Sequence, residues 1–383
     1  MLYETLEPLR RTSAPLDEIP AGEKRRPVRW VEPQRVAEID FRDWTHGGLV
    51  RHAAYQGLRE DKSAAEVVGE RTNAKSDERA RMNEAMPGID ETKLTHPERL
   101  LWPDVGITKL GLAQFYAEIW TWIRPHIVER PLSLLRCPDG ADKKCFFQKH
   151  AHASFSKSVR RIKLPGDDEE WIYIDDFDGL LGLVQASVLE LHPWGSTIKN
   201  SERADRVILD LDPGPGVEWE EMIAAAQETR QVLADCKLQS FVKTTGGKGL
   251  HVVAPLKPAA DWAPVKEFAQ SVAKALERRD STRYTATVAK KARDRRIYVD
   301  YLRNSRGATA VAAYSTRARQ GAPVSTPLTW DELSSGIGPA HFTVLNLIAR
   351  LRHLNADPWA GLDQVRQKLP KPLALSVVRH RPG

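Results

Sequence analysis

The stretch "RVILDLDPGPGV", residues 206–217, sets Asp210 and Asp212 two apart inside an apolar run. On a β-strand alternate side chains share one face, so both charges crowd one side. Unneutralised, such a pair repels, raises its own pKa values and weakens the strand. Asp300, in "RIYVDYL", is the third acid in a strand-like apolar segment of the large part of the chain. Hard divalent cations such as Mn²⁺ or Mg²⁺ take carboxylate oxygens and keep room for substrate phosphates. Three carboxylates can hold two ions, one activating an attacking hydroxyl and the other steadying a leaving pyrophosphate. Taken alone, Asp210 and Asp212 also fit a cap for the turn at Pro213-Gly214, and three acids with basic flanks also suit phosphodiester hydrolysis.

A second element is "KTTGGKGLHV", residues 243–252. A strand, a Gly-rich turn and a lysine can cradle phosphates: backbone N–H groups approach anionic oxygens, Lys248 adds a point charge and Thr245 a hydroxyl. It is not a Walker A loop, because GxxxxGK[ST] is absent, and a plain Gly-rich hairpin is the alternative. His251 reads as a packed or hydrogen-bonded residue.

The elements that must carry these residues follow from periodicity. "GLAQFYAEIWTWIRPHI" spaces apolar residues at helical intervals and stops near Pro125, and "GLLGLVQASVLEL" reads as a second helix. After the Asp210 strand, residues 219–235 are helical and "SFVKTT" returns as a strand, a β-α-β crossover. "GLHVVAPL" is a further strand. It is followed by a helix with Val265, Phe268, Ala269, Val272, Ala273 and Leu276 on one stripe. The expected architecture is mixed α/β (α+β), with the Asp210 and Asp300 strands side by side. Residues 1–68 read as a small β unit, 69–93 as a charged linker, 94–362 as the large domain and 363–383 as a tail.

Composition narrows the partners. The 383 residues are 41% hydrophobic with net charge +6, and between Lys290 and Arg319 nine basic residues meet two acids. That local field suits a polyanion. No run approaches the roughly 18–20 apolar residues of a membrane span, and no secretory pattern opens the chain, so a cytoplasmic location is the default. Cys137, Cys145 and Cys236 show no CxxC spacing and read as reduced bystanders.

Together these parts describe nucleotidyl transfer. From about Leu94 to Leu362 the chain resembles the polymerase domain of bacterial ligase D, of the archaeo-eukaryotic primase superfamily. "DLDPGPGV", "TTGGKGLHV", "YVDYLRN" and "AAYSTRAR" match in order and spacing. The resemblance implies a primase-polymerase fold with an RRM-like catalytic sheet. It also implies Mn²⁺-favoured addition of nucleotides, preferentially ribonucleotides, to DNA 3′ ends in non-homologous end joining. Asp210, Asp212 and Asp300 would be the metal ligands and Thr245, Lys248 and Gly249 the triphosphate contacts. Arg293 and Arg317 would make further nucleotide contacts, and His192, in "LELHPWG", would lie near the sugar. Arg99 and Lys109 would hold a 5′-phosphate across a gap. Phe146 and Phe147 would stack on a templating base, with ordinary core packing as their alternative. Arg303 is a departure, since relatives carry Gln or another polar residue there. The partners implied are DNA ends or gapped DNA, NTPs or dNTPs, Ku and a separate ligase polypeptide, in a nucleoid-associated setting and with no membrane. A DNA-end-binding module without catalysis, or a ligase fragment acting with a partner, are the alternatives.

The N-terminal part, "WVEPQRVAEIDFRDWTHGGLVRHAAYQGLREDKSA", resembles the end of the OB-fold domain of ATP-dependent ligases, a partial OB fold. In a whole ligase Arg59 and Lys62 of "LREDK" would approach ATP phosphates. No KxDG adenylation motif occurs in the chain, so ligase activity is not expected.

Overall fold

The computed structural model describes residues 6–13, 30–40, 43–44, 50–51, 54–59, 87–90, 93–150, 155–333 and 336–373. The chain divides into two compact units, Met1–Asn83 and Glu84–Gly383. In the first, short antiparallel pairs join Arg10–Arg11 to Trp30–Val31, Val36–Asp40 to Ala54–Arg59, and Asp43–Trp44 to Val50–Arg51. A register shift between Glu38 and Ile39 interrupts the longest pair. Lys62, most of the expected linker and the tail beyond residue 373 lie outside the described residues.

The second unit opens with β1 (Leu100–Trp102) and β2 (Ile107–Thr108), then α1 (Lys109–Glu118) and α2 (Trp120–Ile127). The Thr108 hydroxyl caps α1 by accepting from Gly111 N. The sequence reads these two helices as one ending near Pro125; instead the chain breaks at Ile119 and Pro125 lies inside α2. A five-stranded sheet follows, formed by β3 (Leu132–Arg136), β4 (Phe146–Gln148), β5 (Arg160–Ile162), β6 (Trp171–Tyr173) and β7 (Val188–Pro193). The expected helix over "GLLGLVQASVLEL" is real only as α3 (Phe177–Gln185). Ser187, at φ +58°, ends it, and the β-branched and leucine-rich remainder becomes β7, paired to β3.

The second sheet is built on β8 (Arg203–Pro213), α4 (Trp219–Asp235), β9 (Phe241–Thr244), β10 (Leu250–Asp261), α5 (Trp262–Arg279), β11 (Tyr284–Thr285), β12 (Ile297–Asp300) and β13 (Pro327–Leu328). Strand order is β11-β12-β8-β10-β9-β13. Both β8 and β9 run antiparallel to β10, so β8-α4-β9 is the expected crossover with one strand between its members. Val207, Leu209 and Leu211, on one face of β8, are fully buried, and α4 and α5 pack on this sheet. Burying three such side chains stabilises the strand by roughly 5–8 kcal/mol. The other face of β8 therefore carries Asp210 and Asp212. After α6 (Leu347–His353) the chain keeps docking past Leu362: Lys257 N donates to Gln367 O at 2.7 Å, and Val365, Leu369 and Leu373 pack on the core.

The cysteines correct the sequence reading. Cys137 and Cys145 are joined in a disulfide, while Cys236 is free. Cys137 follows β3 and Cys145 precedes β4, so the hairpin brings their Cα atoms to 4.4 Å, a pairing geometry that eight-residue spacing alone does not signal.

His126 offers a test of the core. It is buried against Tyr314 and Trp359, and burial, then Arg206 and Arg130, push its pKa down to about 3. An unfolded histidine titrates near 6.5, so below that pH only the unfolded chain takes up this proton. Stability is full above about pH 6.5 and falls as pH drops toward 3. At pH 5.5 the cost from His126 is roughly 1–2 kcal/mol, and His126→Asn should remove that part of the slope in urea titrations at pH 5.5 and 7.5.

Candidate active site

Register brings the acids together. Asp210 lies opposite Asp300 on β12 and opposite His251 on β10, and His251 lies opposite Lys243 on β9. Cross-strand partners share a face, so a polar row, Asp300-Asp210-His251-Lys243, runs across four strands, all four residues buried. Asp212 follows two residues along β8. Oxygens of Asp210, Asp212 and Asp300 all lie within 4.8 Å of one another.

The charge problem is met in part by Arg303, whose Nε sits 3.1 Å from Asp210 Oδ2 and 3.2 Å from Asp300 Oδ2. Arg303 is placed by Asn304, which donates to Ile208 O at 2.7 Å and accepts from Ile208 N at 2.8 Å, extending the β8 ladder beyond the end of β12. Arg303 thus contacts both acids directly. Burial works against an ionised Asp210, but His251, Arg303 and Lys243 outweigh it and hold the carboxyl well below its usual range. His251 is itself pushed down to about 4 by burial and Lys243, and burial with Arg317 lowers Lys243 as well. With His251 uncharged near neutrality, Arg303, in contact with both acids, is the nearest countercharge. Asp212 receives less help: burial, then Asp210, raise it to about 7. Burial also raises Asp300, against the pull of Arg303, with Leu302 N donating to Oδ1 at 2.8 Å.

These residues fit a hard divalent cation. The donor set is all oxygen, and Asp210 Oδ1 is buried with no aligned hydrogen bond, although His251 Nε2 is 3.2 Å away. The Asp212 carboxyl, held partly protonated by its neighbours, is the group a cation would most relieve.

Asp210 and Asp212 open onto a cleft of about 680 Å³ between the two sheets, lined also by His192, Thr245, Lys248, Arg293, Arg303 and Arg317. The Gly-rich loop joins β9 to β10. Thr245 Oγ1 accepts from Gly247 N (3.3 Å) and Gly249 N (3.2 Å), so its hydroxyl shapes the loop and Lys248 is left exposed at the tip. Gly249 is forced: a Cβ there would stand 2.3 Å from Leu211 O. Gly246 needs its φ of +64°. Arg317 donates to Thr245 O and pairs with Glu190, while Arg293 lies 3.8 Å over the Tyr298 ring. On the opposite sheet His192 bonds Glu190 at 2.8 Å and meets the Phe147 ring edge-on at 5.4 Å.

Comparison with known proteins gives the same picture. A family model described as the LigD primase-polymerase domain matches residues 108–359. The chain belongs to that family. A second model, the ATP dependent DNA ligase C terminal region, matches residues 1–62. The multifunctional non-homologous end joining protein LigD of Pseudomonas aeruginosa is 39% identical over 381 residues, 96% of this chain and 44% of that protein. Its namesake from Mycolicibacterium smegmatis is 31% identical over 276 residues, 71% of this chain and 34% of that protein. The chain thus spans less than half of these relatives. The solved polymerase domain from Mycobacterium tuberculosis ligase D in complex with DNA superposes with a TM-score of 0.65 at 29% identity, covering 71% of this chain and 98% of that one. The primase-polymerase fold expected from the sequence is the fold observed.

Other residues expected of a ligase D polymerase domain fall outside the acidic centre. Phe146 and Phe147 are 43% and 58% exposed on β4, so core packing is not their role. Arg99 and Lys109 adjoin through Lys109 N and Arg99 O at 2.8 Å, with Arg99 exposed. Lys109, however, is buried, and its ammonium donates to Thr95 O at 2.8 Å, with Gln185 nearby. Arg59 ends the strand Ala54–Arg59 in the first unit. Of the basic run, Arg306 is engaged by Glu202 and Asp167, and Arg319 lines the cleft. Sequence reasoning missed Glu190, Lys243 and Asn304. The only signal for Glu190 was its i, i+2 spacing to His192, hidden by the helix reading.

Proposed function

We propose that this chain adds nucleotides, preferentially ribonucleotides, to DNA 3′ ends and fills gaps in the repair of double-strand breaks. The carrying observation is the Asp210-Asp212-Asp300 cluster facing a Gly-rich loop and several arginines across one cleft. Asp210, Asp212 and Asp300 would hold two divalent cations, Mn²⁺ or Mg²⁺, which when bound activate the 3′-hydroxyl and steady the leaving pyrophosphate. Lys248, Arg293 and Arg317 place positive charge where a triphosphate would lie, and Thr245 and Gly249 keep the loop in shape for it. His192 faces the sugar. The exposed Phe146-Phe147 edge suits stacking on a template base, and exposed Arg99 suits a 5′-phosphate, whereas the Lys109 ammonium would first have to leave Thr95 O. DNA is the bound partner of the M. tuberculosis domain, and the basic cleft supports the same partner here.

The N-terminal unit, lacking KxDG, would not adenylate on its own. Ku and a separate ligase module are the partners this reading implies. The test is primer extension on a gapped duplex bearing a 5′-phosphate, with NTP or dNTP and Mn²⁺ or Mg²⁺ varied in turn. Extension is expected, strongest with NTP and Mn²⁺. A labelled strand that shortens without nucleotides would instead point to a nuclease, and tight, salt-sensitive DNA binding without incorporation to a scaffold.

A further inference from the structure

Glu190 is a buried carboxylate with three partners and no place among the metal or phosphate contacts. It is 3% exposed; His192 Nε2 lies 2.8 Å and Arg317 Nε 3.1 Å from its Oε2, and Ala318 N donates to Oε1 at 2.9 Å. Glu190 and His192 share one face of β7. Arg317 continues the chain to Thr245 O, so Glu190, Arg317 and the Gly-rich loop link one sheet to the other across the cleft. Burial opposes the charge, but His192 and Arg317 hold Glu190 down to about 2, so it is ionised at neutral pH. An ionised carboxylate has no proton to donate, so His192 Nε2 must carry the hydrogen of the 2.8 Å contact. Burial lowers His192 as well, leaving a neutral ring whose Nδ1 can only accept. The Phe147 ring packs against the imidazole and limits its turning.

We propose that Glu190 is a positioning residue that fixes His192 in the tautomer accepting a sugar hydroxyl at Nδ1, and clamps Arg317 at the phosphate loop. One carboxylate then sets both sugar discrimination and phosphate placement. This rests on the polymerase reading for the identity of the ligand. A ribose offers a hydroxyl proton to Nδ1 where a deoxyribose has none, so the contact separates the two sugars. Loss of Arg317 alignment weakens both alike.

The experiment combines two readouts on the full chain. Imidazole ¹⁵N spectra of the unmodified protein, with His192→Gln for assignment, are expected to show the Nε2–H tautomer; an Nδ1–H tautomer would overturn the proposal without any variant at Glu190. Calorimetric titration with ATP and 2′-deoxy-ATP is then compared for the unmodified protein, Glu190→Gln and Arg317→Lys. Glu190→Gln should lower the preference for ATP by about tenfold, the size of one hydrogen bond, whereas Arg317→Lys weakens both ligands and leaves their ratio. An unchanged ratio in Glu190→Gln contradicts the proposal. Gapped-duplex extension by the unmodified protein is run beside these: its failure would count against the polymerase reading, while tautomer and ratio judge Glu190 separately.

Discussion

Asp212→Ala is expected to lower nucleotide addition by about a thousandfold or more while leaving the fold intact. Losing several kcal/mol of transition-state charge stabilisation corresponds to that factor, at about 1.4 kcal/mol per tenfold. The fold should tolerate the change, because Asp212 is the carboxylate its surroundings least favour: burial, Asp210 and Asp300 raise it to about 7. The sign of the linkage gives a second readout. Folded Asp212 keeps a proton that the unfolded chain sheds near pH 4, so between about pH 4 and 7 the unfolded chain binds fewer protons. Without divalent cations, the stability Asp212 contributes is therefore full at the acid end and is lost as pH rises toward 7. Asp212→Ala should flatten that slope, and it should also remove most of the thermal shift produced by Mn²⁺. Extension at near-normal rates by this variant would show that the acids are not the metal site.

Gly249→Ala should be nearly as damaging by a different route. Its Cβ would stand 2.3 Å from Leu211 O, a backbone atom of the strand that carries the acids, and 3.5 Å from Asp212 Oδ1. A carbonyl in a paired strand cannot step aside like a flexible side chain, so either β8 or the Gly-rich loop must move. Overpacking of this kind costs about 1–3 kcal/mol or more, which is roughly a 3–10 °C fall in melting temperature for a unit of this size. Nucleotide binding should weaken more than stability suggests, because the loop and the acids lose their mutual placement; a shift of 1 Å can cost about a hundredfold. Melting curves and calorimetric titration with ATP check this. A variant with unchanged melting and binding would mean that the loop does not abut β8.

What the sequence revealed and what it hid separate along physical lines. Alternation along one strand was enough to place Asp210 and Asp212 on one face, and four ordered motifs pointed to the fold. The neutralising partner required register: Arg303 and Asp300 meet Asp210 only because β12 lies antiparallel beside β8. Glu190 was hidden because an apolar run such as "LVQASVLEL" fits helix and strand alike, and the change occurs at Ser187, a residue in the left-handed region that composition does not mark. Burial of the Lys109 ammonium and pairing of Cys137 with Cys145 depend on where turns return the chain, which no local pattern encodes. The exposure of Phe146 and Phe147 likewise follows from β4 pairing with β3 alone in its sheet.

The most direct test is anomalous scattering from crystals grown with Mn²⁺ and a non-hydrolysable ATP analogue. Two manganese peaks among the oxygens of Asp210, Asp212 and Asp300, with the triphosphate running toward Lys248 and Arg317, are the expected result. Manganese bound elsewhere, or a nucleotide seated away from this cluster, would contradict the assignment of the cleft as a polymerase centre.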